Sequence, residues 1–116
     1  MSISFKKALL EEYARVAHAL SAPARLSILE QLAQGERGVE ALAEKTGLSL
    51  ANCSQHLQQL RRSSLVTSRR DGKAVIYQLS DAKILNLMDF LRIVAERNLA
   101  QVERILRGLS GDEDAP

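Results

Sequence analysis

Residues 3–20 place Phe5, Leu9, Tyr13, Val16, Ala17 and Leu20 at three- and four-residue steps, with Lys6, Lys7, Glu11, Glu12 and Arg15 between them. That spacing predicts an amphipathic helix. Ser21-Ala22-Pro23 ends it and starts a second, with Ser21 expected as the N-cap and Pro23 in the first turn, where its missing N–H costs nothing. The second helix is expected to run to about Gln34, burying Leu26, Ile28, Leu29 and Leu32, with Gly35 as the stop. A third, short helix over 39–46 turns Val39, Leu42 and Ala43 inward. The turn Gly47-Leu48-Ser49 then leads into a fourth helix over about 50–63, with Ser49 as its N-cap. The apolar positions of this helix are Leu50, Cys53, Leu57 and Leu60, and the rest of its surface is short and polar.

The period then changes. Leu65–Arg70 and Ala74–Leu79 read as strands, with Val66, Val75, Ile76 and Tyr77 supplying branched and aromatic residues. Asp71-Gly72 between them is a hairpin signal. A two-stranded hairpin does not stand alone, so it must lean on the helices. Ser80 or Asp81 is expected to cap a last helix running to about Arg107. Its stripe contains Ile84, Leu87, Met88, Leu91, Val94, Leu99, Val102 and Leu106. At 1.5 Å per residue it is about 40 Å long, longer than a domain of this size is wide. Part of the stripe therefore lacks cover within the chain, and a second copy is the simplest cover. The fold class expected is mainly α with a small β-hairpin, over residues 1–110. Residues 111–116 carry Asp112, Glu113 and Asp114 and read as an acidic disordered tail or the start of a linker.

The chain of 116 residues is 46% hydrophobic and 26% charged, which fits one globular domain. A single cysteine excludes a disulfide framework within the chain and any cysteine-based zinc knuckle. No apolar run approaches the roughly 18 residues of a membrane span, so no membrane partner and a cytoplasmic setting are expected. Aromatics are only 3% (Phe5, Tyr13, Tyr77 and Phe90), too few for base-stacking readers of single strands. The net charge is +2, but residues 1–111 alone carry +5, and the stretch 61–73 carries +4 through Arg61, Arg62, Arg69, Arg70 and Lys73 against Asp71. A basic cluster of this kind suits a phosphate backbone or is simply a solvated loop.

A short helix, a tight glycine turn and a helix with a polar outer face make a helix-turn-helix. A recognition helix has to enter a major groove about 12 Å wide, so its outer face should be narrow and able to hydrogen-bond. Ala51, Asn52, Ser54, Gln55 and Gln58 meet that demand. The basic hairpin beside it would be a wing, with Arg69, Arg70 and Lys73 on phosphates or in the minor groove. The expected partner is double-stranded DNA.

The run Leu20-Ser21-Ala22-Pro23-Ala24-Arg25-Leu26, the Gly47-Leu48-Ser49 turn, Asn52-Cys53-Ser54-Gln55-His56-Leu57 and Gly72-Lys73-Ala74-Val75-Ile76-Tyr77-Gln78-Leu79 resemble the ArsR/SmtB transcriptional repressors. The resemblance covers about residues 5–107. It implies a winged helix-turn-helix homodimer joined through its first and last helices, which holds a palindromic operator until an effector releases it. It carries base reading onto Ala51, Ser54 and Gln55, with Asn52 beside them. Backbone contact is expected from Ser49, Gln58, Arg62 and the wing. Phe5, Leu9, Tyr13, Met88, Leu91, Val94 and Val102 are the expected dimer contacts. The chain also resembles the regulatory half of members that continue into a rhodanese-like domain.

The sensing sites of that family do not carry over. Its thiolate site needs a cysteine pair where this chain reads Arg37-Gly38-Val39-Glu40-Ala41-Leu42. Its last-helix zinc site needs histidines, and residues 82–107 hold none, with Lys83 in a ligand position. No metal and no cofactor are therefore expected, and the effector is left as a small molecule or a redox signal. Cys53 is either a thiol switch, with His56 three residues on to favour a thiolate, or a small core residue on the Leu50–Leu57–Leu60 stripe. No nucleophile–base pair or phosphate-cradling loop suggests an enzyme. The competing reading is a winged-helix protein-interaction module without DNA binding.

Overall fold

A computed structural model describes residues 2–111. The chain forms two compact units that divide between Ala82 and Lys83. In the first, the order is α1 (Ile3–Ala19), α2 (Pro23–Ala33), β1 (Arg37–Gly38), α3 (Val39–Thr46), α4 (Leu50–Arg62), β2 (Val66–Asp71) and β3 (Ala74–Leu79). The second is a single helix, α5 (Lys83–Ser110). The acidic run 112–114 lies outside the described residues.

The helices fall close to their expected bounds, with two local corrections. The cap of α2 is Ala22 rather than Ser21. A residue before proline is driven into extended backbone, and Ala22 sits at φ −122°, ψ 127°, which is the cap conformation. The Ser21 hydroxyl instead donates to the His18 carbonyl at 2.6 Å and closes α1. Leu50, expected inside, is 51% exposed, because it is the first residue of α4 and projects from its start. The Ser80 hydroxyl, just ahead of α5, donates to the Ser64 carbonyl at 2.6 Å.

The sheet has three antiparallel strands in the order β1-β3-β2, one more than the expected hairpin. β1 is only two residues long, pairing Arg37 with Tyr77 and Gly38 with Ile76. Two residues are too few for alternation to be read from sequence. In the hairpin, Asp71 still pairs with Ala74, so the connecting residues are Gly72 and Lys73. Gly72 takes φ 65°, a left-handed conformation that glycine adopts without steric cost. Paired residues share a face of the sheet. Val66, Ser68 and Arg70 therefore face the same way as Leu79, Tyr77 and Val75. Burial of Val66 and Tyr77 marks this as the core side.

The core joins Ile28, Leu29 and Leu32 of α2, Leu42 and Ala43 of α3, and Cys53, Leu57 and Leu60 of α4 to Leu65, Val66 and Tyr77. Arg25 ties the helices together. Its Nε donates to the Ala19 carbonyl at 2.6 Å and its Nη2 to the His18 carbonyl at 3.1 Å. Its Nη1 lies 3.4 Å from His56 Nδ1 on α4. A guanidinium can only donate, so this contact selects the tautomer in which Nδ1 accepts.

Cys53 is fully buried and its Sγ contacts the Val39 carbonyl at 3.9 Å. Burial pushes its thiol above the ordinary cysteine value. His56 turns its Nδ1 to Arg25. These facts give Cys53 the character of a core residue and not of an activated thiolate.

At the end of α4, Ser64 takes φ 63°, and the Leu65 N–H returns to the Leu60 carbonyl at 3.0 Å. A side chain in that conformation costs about 1–2 kcal/mol.

Two outcomes check this unit. Cys53 should react with a thiol reagent far more slowly in the native protein than in denaturant, and Cys53→Ser should cost about 1–3 kcal/mol in urea unfolding by placing a hydroxyl in the core. Ser64→Gly should raise stability by up to about 1 kcal/mol in thermal melts, since strain is removed at a modest entropic cost.

Candidate nucleic-acid interface

The turn into α4 is built by three local devices. Thr46 returns its hydroxyl to the Leu42 carbonyl at 2.6 Å. Gly47 closes α3 at φ 73°, letting the Leu48 N–H reach the Ala43 carbonyl at 3.1 Å. Ser49 Oγ then accepts from the Asn52 N–H at 3.1 Å. The cap uses only an oxygen lone pair, so the Ser49 O–H keeps its donor for another acceptor.

A helix turns about 100° per residue, which places Ala51, Gln55, Gln58 and Arg62 along one line and Asn52 and Ser54 on its flanks. The buried Cys53, Leu57 and Leu60 lie about opposite that line. Exposure follows this geometry. Ala51, Asn52, Gln55, Gln58 and Arg62 are exposed, whereas Ser54 is half-buried. Of the residues expected to read bases, Ala51 and Gln55 thus lie on one ridge, with Asn52 and Ser54 on its two flanks. No acidic side chain lies on α4, and its last turn carries Arg61 and Arg62. These cations lie favourably at the negative end of the helix dipole. Arg15 of α1 donates to the Arg62 carbonyl at 3.2 Å and helps satisfy that end.

The wing separates its basic residues. Arg69 and Arg70 are neighbours in sequence and so face opposite sides of the sheet. Arg69 on the outer side is engaged: its Nη1 and Nη2 donate to Glu36 Oε2 at 2.7 Å and Oε1 at 2.8 Å. This two-pronged contact holds the Glu36 carboxyl below its ordinary pKa and raises that of Arg69. The pair is consequently formed at neutral pH and is lost only as pH falls through the lowered Glu36 value. Arg69, expected on phosphate, has its fork occupied within the protein. Arg70 and Lys73 are exposed, with no ion-pair partner among the described residues.

Glu36 and Arg25 have structural roles that the pattern of the sequence does not flag. Glu36 is a lone acid after a glycine turn, and its partner is 33 residues away. Arg25 acts on main-chain carbonyls, which leave no trace in a side-chain pattern.

The apolar residues expected at a dimer contact are exposed or half-buried in their own units. Phe5 and Tyr13 of α1 are exposed and Leu9 is half-buried. On α5, Leu91, Val94 and Val102 are exposed and Met88 is half-buried, while Leu99, Ile105 and Leu106 extend the exposed series. No residue of α5 is buried. Among the described residues, no group of three or more His, Cys, Asp or Glu side chains is arranged to hold a metal. No helix among them is long and apolar enough to cross a membrane.

Residues 20–69 match a family described as a helix-turn-helix domain. An HTH-type transcriptional regulator of Mycobacterium tuberculosis is 43% identical over 84% of this chain, which spans 43% of that regulator's length. The biofilm growth-associated repressor of Xylella fastidiosa is 36% identical, with 69% of this chain and 70% of the repressor covered. Among solved structures, a homodimeric winged helix-turn-helix DNA-binding domain from Mycobacterium bovis, described as a possible ArsR-family transcriptional regulator, superposes with a TM-score of 0.79. It is 40% identical, over 87% of this chain and 93% of that one. The chain belongs to the ArsR/SmtB family of winged helix-turn-helix transcriptional regulators.

Proposed function

We propose that this chain is a sequence-specific, DNA-binding repressor acting as a homodimer on a palindromic operator in the cytoplasm. The observation that carries the reading is the single polar ridge of α4. Gln55, Gln58 and Asn52 offer amide donors and acceptors matched to base edges, and Ala51 offers a methyl suited to thymine. Asn52 and Ser54 would reach from the two flanks of the ridge. Ser49 and Arg62 stand at its two ends, where phosphates border a groove. Arg70 and Lys73 supply the wing's backbone contacts, which add affinity without choosing sequence. The relative from Mycobacterium bovis is homodimeric and the one from Xylella fastidiosa is a repressor, and both properties support the same reading here.

A second copy is the natural cover for the apolar residues of α1 and α5. Phe5, Leu9 and Tyr13 and the series Met88, Leu91, Val94 and Val102 are the proposed contacts. Burying each large side chain is worth about 1.5–3 kcal/mol, enough in sum to hold two chains together. A two-fold dimer sets its recognition helices about 34 Å apart, one DNA turn, and so selects a palindrome. The family's metal ligands are missing from the sequence, and the burial of Cys53 argues against a thiol effector at that residue. This reading assigns the protein no catalytic step.

Binding to a duplex selected from random sequence tests the assignment of readers. Gln55→Ala should cost about 1–3 kcal/mol per half-site on the preferred operator and relax preference at one base pair in each half-site. An unchanged preference would remove Gln55 from the readers. Val102→Asp should convert the dimer to monomers in sedimentation and abolish tight operator binding, whereas an intact dimer would relocate the interface.

A further inference from the structure

The wing needs something to fix its direction. A hairpin alone is marginal, and β1 grips β3 at only two positions, Arg37–Tyr77 and Gly38–Ile76. At the base of the hairpin, Ser80 is bonded to the Ser64 carbonyl and its N–H to the Leu65 carbonyl. Beyond the Gly38–Ile76 pair, the segment Arg70–Val75 that carries Arg70, Gly72 and Lys73 has no third strand beside it.

The Glu36–Arg69 contact sits where this overhang begins. Arg69 pairs with Ile76, which in turn pairs with Gly38, so the three lie in one row on the outer face of the sheet. Glu36 lies two residues before Gly38 and therefore belongs to the same face. The ion pair thus crosses the whole sheet, from the outer edge strand β2, over β3, to the segment entering β1. Gly38 has no side chain, and Ile76 Cδ1 lies at an ordinary contact distance, 3.6 Å, from where its Cβ would be. Both ends of the guanidinium fork are used, which fixes direction as well as distance. Arg69 and Glu36 side chains are each 47% exposed, so the contact is a surface one whose worth is geometric.

We propose that Glu36 and Arg69 are positioning residues for DNA binding: their ion pair braces the wing across the sheet and aims Arg70 and Lys73 at the phosphate backbone, so that Arg69 acts through Glu36 and not on DNA. The inference rests on the wing lying against the duplex, as proposed above. It separates two arginines that adjoin in sequence into a structural one and a DNA-contacting one. It also gives a role to an acidic residue that would otherwise only repel DNA.

The test is the salt dependence of binding to one selected duplex, with thermal melts to establish that every variant is folded. The variants are Glu36→Gln, Arg69→Gln, the two combined, the reversed pair Glu36→Arg with Arg69→Glu, and Arg70→Gln with Lys73→Gln. Glu36→Gln and Arg69→Gln should each weaken binding about two- to fivefold, the range of a well-oriented surface pair. The combined variant should be no weaker than the worse single one, and the reversed pair, which keeps the net charge, should recover affinity. The slope of log affinity against log salt should be unchanged by Arg69→Gln. It should become shallower by about 3.6 in Arg70→Gln with Lys73→Gln, since two phosphate contacts are lost from each of the two subunits. The brace is overturned if Arg69→Gln lowers the slope by about 1.8, one contact per subunit, while Glu36→Gln tightens binding, because Arg69 would then be a phosphate ligand held back by Glu36. Additive losses in the combined variant, or a reversed pair that does not recover, also overturn it. An unchanged slope in Arg70→Gln with Lys73→Gln overturns it by another route, because the wing would then not touch DNA at all.

Discussion

Cys53, Leu57 and Leu60 are fully buried along one side of α4, and the outward chemistry of the protein depends on that seam. A helix that enters a groove has to stand clear of its domain, so few of its residues can anchor it. Here three side chains in the core hold thirteen residues of helix. The ends are then secured by polar contacts. Ser49 caps the start, and Arg15 reaches the Arg62 carbonyl at the finish. From the side, Arg25 links the last carbonyls of α1 to His56. The ridge of Ala51, Gln55 and Gln58 is therefore presented by a rigid support, as a precise reading surface requires.

The same logic applies to the wing, with weaker means. A short hairpin cannot bury much, and in the proposed role its tip stays polar to meet phosphate. The fold supplements the two-residue pairing of β1 with a bidentate ion pair on the outer face of the sheet. In the proposed complex the cost is one basic residue withdrawn from the DNA. The alternation of the strand makes the exchange workable, because Arg70 is left on the opposite face.

Most of the architecture was legible because it is local. Helix periodicity, the Gly47 and Ser49 signals and the branched residues of the hairpin each act within a few positions. The α4 ridge was legible for the same reason, since a three- and four-residue buried stripe defines its own opposite face. What escaped was non-local or too short. β1 has no alternation to detect, and it exists because Tyr77 and Ile76 of a distant strand accept it. Arg69 and Arg70 look alike in sequence, and only the register and Glu36 tell them apart. Leu50 looks like part of the stripe, yet its place at the first residue of α4 leaves it half exposed. Ser21 has the chemistry of a cap, but the extended conformation forced before Pro23 moves the cap to Ala22. The two readings of Cys53 could not be separated by spacing, because a core cysteine and a reactive one fit the same stripe. Burial and the direction of His56 distinguish them.

The most direct test of the account is an amide NMR titration of the protein with a duplex chosen by selection from random sequence. The account predicts that the largest shifts fall on Ala51, Asn52, Gln55 and Gln58, followed by Arg70 and Lys73, with Arg69 and Glu36 little changed. Shifts concentrated elsewhere, with the outer face of α4 unperturbed at saturation, would contradict it.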